Sequence, residues 1–140
     1  MEKHLTFAVV LNIVYRSVIL LGGLIVMVLG FSFEWLMSLV ARIDPYEVQD
    51  VPEIVFEIVP VILFIIGSVI ALFSVVTIIA AIAAGRRKEW GRILLLVMSF
   101  FNLIHVPLGT LVGAYTIWVL FNDEVIRMFN PAKTAEVVQQ

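Results

Sequence analysis

Few residues in this chain are able to do chemistry. It has two histidines, His4 and His105, and no cysteine, so thiolate nucleophiles, disulfides and cysteine-ligated metals are excluded together. Ser99, Asn102 and His105 recur at i, i+3 and i+6, a polar stripe along one helix face. A serine and a histidine at that spacing sit more than a turn apart, beyond the ~3 Å over which a base takes a hydroxyl proton. Two roles remain for the stripe: interhelical hydrogen bonds, worth about 0.6 kcal/mol each in a membrane, or a path for protons or ions. His4 and His105 fall at opposite ends of the topology derived below and cannot share a metal within one subunit. No glycine-rich phosphate loop, H-E-x-x-H pair or paired intramembrane carboxylates are present. The expectation is no enzyme, no cofactor and no metal.

Asn12, Tyr15 and Arg16 interrupt an apolar stretch, and Asn12 and Arg16, four apart, share a face. If the helix begins near Leu5, Arg16 lies ~17 Å along it at ~1.5 Å per residue. An arginine near the headgroups snorkels at little cost. At mid-membrane it costs about 2.5–3.5 kcal/mol and implies a paired charge or an aqueous cavity. Glu124 or Asp123 is the partner expected for a paired Arg16. A helix starting nearer Tyr15, with residues 1–14 as a surface helix, makes the charge interfacial instead.

Acidic side chains gather between residues 34 and 57, where Glu34, Asp44, Glu47, Asp50, Glu53 and Glu57 face only Arg42, six minus one, for a net −5. Pro45 and Pro52 make this a turn-rich linker. Asp44, Glu47, Asp50, Glu53 and Glu57 form either a solvated outer acidic patch or a cation or partner site, since hard cations need several oxygens brought close. The spacing is not that of an EF-hand.

The elements that must position these groups follow from hydropathy. Of 140 residues, 62% are hydrophobic and 14% charged, with a mean hydropathy of +1.11; a soluble domain carries about a quarter charged residues. The net charge of −2 excludes a basic nucleic-acid binder. The sequence predicts an all-α integral membrane four-helix bundle forming a single transmembrane domain. Its helices run over about 5–33, 53–84, 89–105 and 107–128, with an acidic outer loop over about 34–52. The first apolar run is longer than the ~7–15 residues of a signal-peptide core and is assigned as a membrane helix. Residues 31–42 either continue it or lie along the surface as an amphipathic turn or two. The second helix has no charge from Ile58 to Ala84, ~40 Å of helix against a ~30 Å hydrocarbon core, so it must tilt or protrude.

Two shorter apolar segments follow, split by Pro107, which sets a boundary near Val106 and a turn over His105 to Gly109. Each spans only ~23 Å, so this short Pro/Gly hairpin buttresses the long pair at bilayer depth. Arg86, Arg87, Lys88 and Arg92 precede it and, by the retention of basic loops, place their own loop and both termini in the cytoplasm, with residues 34–57 and the His105–Gly109 turn outside. Gly67 and Ala71 on the second helix, and Gly109 and Gly113 in a G-x-x-x-G, are predicted helix-packing positions; a dimer contact is the alternative for the last two. Arg16, Asn102 and His105 are the predicted buried polar or functional groups.

The block Arg87-Lys-Glu-Trp-Gly-Arg92, then Asn102, Pro107-Leu-Gly-Thr110, Gly113-x-Tyr115 and Trp118-Val-Leu120 ending in Asp123-Glu124, resembles a pattern. That pattern, W-A-R…N-x-x-x-x-P-x-G-T-x-x-G-x-Y-x-x-W-x-L, closes a widespread group of small, uncharacterised prokaryotic four-helix membrane proteins. The resemblance covers about residues 86–124, with Gly91 where the group has alanine. It implies four membrane helices in a prokaryotic inner or plasma membrane and transfers no catalytic residue. Two function classes follow: a non-catalytic accessory or assembly subunit packing through small-residue faces, or a small oligomeric transporter or channel. The expected partners are the lipid bilayer and a further copy of the chain or another membrane subunit, not nucleic acid.

Overall fold

The computed structural model describes residues 1–43 and 51–129, and among them every regular element is helical. The helices are α1 (Glu2–Phe31), α2 (Phe33–Ile43), α3 (Glu53–Gly85), α4 (Glu89–Asn102), α5 (Leu108–Leu120) and α6 (Asp123–Phe129). Two of them, α1 with 30 residues and α3 with 33, are long and apolar enough to cross a membrane. Their most apolar 18-residue windows have mean hydropathies of 2.2 and 2.9, and only 17% of either window is buried. A core helix of a soluble protein would be buried over most of its length.

Several boundaries differ from expectation for local reasons. α1 starts at Glu2, not Leu5, and runs unbroken through Tyr15, so residues 1–14 are not a separate surface helix. Its polar first turn is anchored by partners far along the chain, Glu2 to Arg87 and His4 to Tyr115. α4 ends at Asn102 rather than 105, because the next amides bond three residues back, Leu103 to Phe100 and His105 to Asn102. The Thr110 hydroxyl donates to the freed Leu103 carbonyl at 2.9 Å. The expected last helix is two. Asn122 interrupts it, its Oδ1 accepting the Glu124 amide at 3.0 Å as an N-cap, with Asp123 and Glu124 in the first turn of α6.

The chain packs as two compact units, Met1–Ser17 with Val75–Gln140, and Val18–Ser74, so α1 and α3 each contribute to both. In the first unit the apolar core is built from Leu5, Val9, Leu95, Leu120, Val125 and Phe129 over a floor of alanines at 80, 81 and 84. Those alanines, with Gly91, let backbones meet. A Cβ on Gly91 would lie 2.5 Å from the Ala83 Cβ and 2.6 Å from the Ala84 nitrogen. The reversal from α3 to α4 is a Schellman turn: the Lys88 amide bonds Ala83 O and the Arg87 amide bonds Ala84 O. Arg87 occupies its left-handed position with φ 57.

In the second unit α1 and α3 touch through glycine. A Cβ on Gly67 would meet Gly23 O and Met27 N at 2.7 Å, and one on Gly30 would meet Phe64 N and Pro60 O at 2.9 Å. Ala71 belongs to the same contact, its amide 3.2 Å from a Cβ placed on Gly23, whereas one on Gly22 would meet nothing within 4 Å. The Ser68 hydroxyl bonds Phe64 O at 2.7 Å. α2 follows α1 after the single residue Ser32 and buries none of its side chains; Trp35 is 66% and Ile43 79% exposed.

Candidate functional site

The polar residues of the first unit converge on a seam between the start of α1 and the α4–α5 hairpin. α1 supplies His4, Ala8, Asn12 and Arg16, each four residues after the last and so on one face. α4 buries Gly91, Leu95, Ser99 and Asn102; α5 buries Gly109, Val112, Gly113, Thr116 and Val119. The glycines are what let a polar seam close. A Cβ on Gly113 would stand 2.6 Å from Ser99 O, and one on Gly109 would stand 2.6 Å from Asn102 O and 2.8 Å from the Tyr15 hydroxyl. Gly109 and Gly113 therefore face α4 across the hairpin.

Hydrogen bonds tie the three helices together. The Asn12 Nδ2 donates to Thr116 Oγ1 at 2.6 Å and to Ala8 O at 2.9 Å. The Thr116 and Ser99 hydroxyls donate to Val112 O at 2.7 Å and Leu95 O at 2.8 Å. Nearer the chain start, His4 Nδ1 and the Tyr115 hydroxyl are 3.1 Å apart, and the His4 ring stands edge-on to Trp118.

Arg16 is the seam's one charge and is only 4% exposed. Its guanidinium donates to Asn102 Oδ1, and among the described residues no carboxylate is its partner. Of the two expected partners, Glu124 instead lies 3.6 Å from the Met1 amine and is 68% exposed, and Asp123 is exposed in the first turn of α6. An amide serves because its oxygen accepts from the cation without bringing a second charge to desolvate. The Asn12 Oδ1, Arg16 Nε and Asn102 Nδ2 atoms are buried with no hydrogen-bond partner among the described residues. The seam thus holds one spare acceptor and two spare donors, a set that suits a bound water or a small anion-bearing group.

Of the residues predicted to be buried and polar, Arg16 and Asn102 come together and His105 does not. His105 is exposed in the turn beyond α4, which ends too early to carry a third member of the Ser99–Asn102 stripe. Asn12, Thr116 and Tyr115 are seam residues that spacing alone did not single out as a site; the face shared by His4, Asn12 and Arg16 was the available signal. In the acidic segment, Glu53 and Glu57 are exposed on the first turns of α3, while Asp44, Glu47 and Asp50 lie outside the described residues. No group of three or more His, Asp or Glu able to hold a metal occurs among the described residues.

No family model, curated protein or solved structure matches this chain. Several residues of the C-terminal block make the contacts of the first unit. Gly91 packs on Ala83 and Ala84, Asn102 accepts from Arg16, Gly109 and Gly113 carry the helix contact, and Tyr115 and Trp118 meet His4. Their spacing is that of a hairpin built to close on a polar helix.

Proposed function

We propose that this is a multi-pass membrane protein of the prokaryotic inner membrane, and that it acts without catalysis, as an accessory or assembly subunit. The observation that carries the proposal is an inverted distribution of polarity. Asn12, Arg16, Thr77, Ser99, Asn102 and Thr116 are buried, while Val14, Ile25, Ile65, Leu72, Ile93 and Leu111 are each more than 40% exposed. Such an arrangement is favourable where the surroundings are hydrocarbon and polar groups must find partners inside the protein. In water it would leave apolar surface far larger than a monomer tolerates.

Along α1 Arg16 stands ~21 Å from the helix start, well into a ~30 Å core. Its enclosure by the hairpin, rather than exposure to an open channel, favours a structural role over conduction. The α4–α5 hairpin is ~20 Å long in each arm and reaches only part-way across a bilayer. It serves as a prop that gives Arg16 its acceptor, while the exposed apolar faces of α1 and α3 are left for lipid and for a partner subunit or second copy. The three unpaired polar atoms of the seam favour a second function, an oligomeric transporter in which Arg16 attracts an anion.

Two experiments test this. Cysteines at Glu53 and Lys88 should label differently with an impermeant thiol reagent in intact cells, Glu53→Cys reacting and Lys88→Cys protected; the opposite pattern inverts the topology. In reconstituted vesicles Arg16→Gln should leave ion and proton flux unchanged. Flux that disappears in that variant with the fold intact would replace the assembly role by transport.

A further inference from the structure

The four bases at the α3–α4 turn are not equivalent. Arg87 pairs with Glu2, and the Arg92 guanidinium lies 6.0 Å from the centre of the Phe129 ring. Arg86 and Lys88 instead line a groove of about 220 Å³ together with Trp90, Ile79, Ile82 and Ala83. The groove is built by close packing. Gly91 draws α4 onto Ala83 and Ala84, and the small Ala83 side chain leaves a notch between the isoleucines of α3 and the Trp90 indole. Ile79, Ile82 and Trp90 are 50%, 41% and 49% exposed, so the groove has an apolar wall, an aromatic side and a cationic end.

A basic turn that only set topology would need no such wall beside its charges. The groove at Gly30, Phe31, Glu34, Pro60, Val61 and Phe64 shows the contrast, since it carries one acid and no base.

We propose that the Arg86–Lys88–Trp90 groove binds an anionic glycerophospholipid. The inference rests on the membrane placement proposed above. The lipid phosphate sits between the guanidinium and the ammonium, the indole N–H donates at headgroup level, and an acyl chain follows Ile82 and Ile79 along α3. Charge complementarity selects the headgroup, and the isoleucine wall selects a lipid over a free anion.

The test uses full-length protein with Trp35→Phe and Trp118→Phe, so that Trp90 is the only tryptophan. It is reconstituted in phosphatidylcholine vesicles containing acyl-brominated phosphatidylglycerol or acyl-brominated phosphatidylcholine at equal mole fraction. Two basic contacts predict that Trp90 quenching reports roughly ten- to thirty-fold tighter association of the glycerol lipid. The ratio should fall to about one in Arg86→Gln/Lys88→Gln and persist in Lys3→Gln/Arg127→Gln, which removes the same charge elsewhere. Equal quenching by both lipids, or an equal loss in the two double variants, overturns the site and leaves the membrane placement standing. Absence of quenching by either lipid overturns the membrane placement itself.

Discussion

The two units of this chain solve the same problem, holding apolar helices together, by opposite means. In Val18–Ser74 the contact is backbone on backbone, through Gly23, Gly30 and Gly67. Nothing there needs a charge. In the unit made of Met1–Ser17 and Val75–Gln140 the same small residues occur, but they serve to close helices over Asn12, Arg16, Asn102 and Thr116. Glycine contact gives dispersion energy along the whole crossing and little directional selectivity. Hydrogen bonds between helices fix rotation and depth, because a register error leaves a polar group stranded. The polar unit therefore specifies one arrangement, and the glycine unit supplies close approach. That division fits the proposed role, in which the hairpin orients the start of α1 and the exposed apolar faces of α1 and α3 are left to lipid and a partner.

The sharpest way to break the contrast is to strand Arg16. Asn102→Leu removes the acceptor of a buried guanidinium, and a cost of about 3 kcal/mol or more is expected from leaving that charge unpaired. Reversible unfolding in mixed micelles would measure it. The double variant Arg16→Met/Asn102→Leu removes charge and acceptor together and should recover most of the loss. Hydrogen exchange should show α4 and α5 loosened by the single variant with residues 64–71 still protected. Equal loosening of both regions would mean that the units do not differ as their packing implies.

Next in size is the glycine contact. Gly67→Ala places a methyl 2.7 Å from two backbone atoms that cannot rotate away. Overpacking of that kind costs about 1–3 kcal/mol, with exchange rising at residues 64–71 rather than in α4 and α5. Gly22→Ala is the control, because nothing lies within 4 Å of its added carbon; it should be neutral or stabilise by up to ~1 kcal/mol through helix propensity. The same sign for both variants would show that glycine content, not contact, sets stability.

How much of this the sequence discloses depends on the range of the interaction. The charge-free run from Ile58 to Ala84 announces α3, and Glu53 begins it as predicted. Pro107 likewise marks the turn before α5. Adjacent glycines are harder: Gly22 and Gly23 differ by ~100° of helix rotation, and only the partner's position tells which one is in contact. Arg16 is the instructive miss. Its depth follows from counting residues, but its acceptor is an amide 86 positions away. A search for opposite charge favoured Glu124, because the rotational phase of α1 against the hairpin is a tertiary property. The helical first turn of α1 was hidden for the same reason, its polar side chains being held by Arg87 and Tyr115. The break at Asn122 is legible, since Asn followed by two acids is an N-cap signature.

That cap sharpens the comparison at about 1 kcal/mol. Asn122→Ala removes the acceptor for the Glu124 amide, and caps of this type contribute about 0.5–2 kcal/mol. The loss should appear as exchange of α6 amides and exposure of Val125 and Phe129, the buried residues of α6, with Val18–Ser74 unaffected. If α6 protection is unchanged, docking of Phe129 rather than the cap holds the helix.

The smallest effect is expected at Arg87, where two terms nearly cancel. Its left-handed backbone at φ 57 is a position that glycine takes without cost, and relief there is worth about 1 kcal/mol. Against this stands the pair with Glu2, whose partners are 49% and 67% exposed. A pair so open to water is screened and holds at most ~1 kcal/mol, and often much less. Arg87→Gly should therefore be within ~0.5 kcal/mol of the native protein, on the stabilising side. Raising the salt concentration weakens only the ion pair, so the variant's relative advantage should grow toward the backbone term alone; in a Glu2→Gln background it should already equal that term and be independent of salt. A loss above ~1 kcal/mol that vanishes in that background would show that the pair at the base of α1 is far stronger than its exposure allows. The charge at the turn would then contribute directly to the polar unit's cohesion, alongside Arg16.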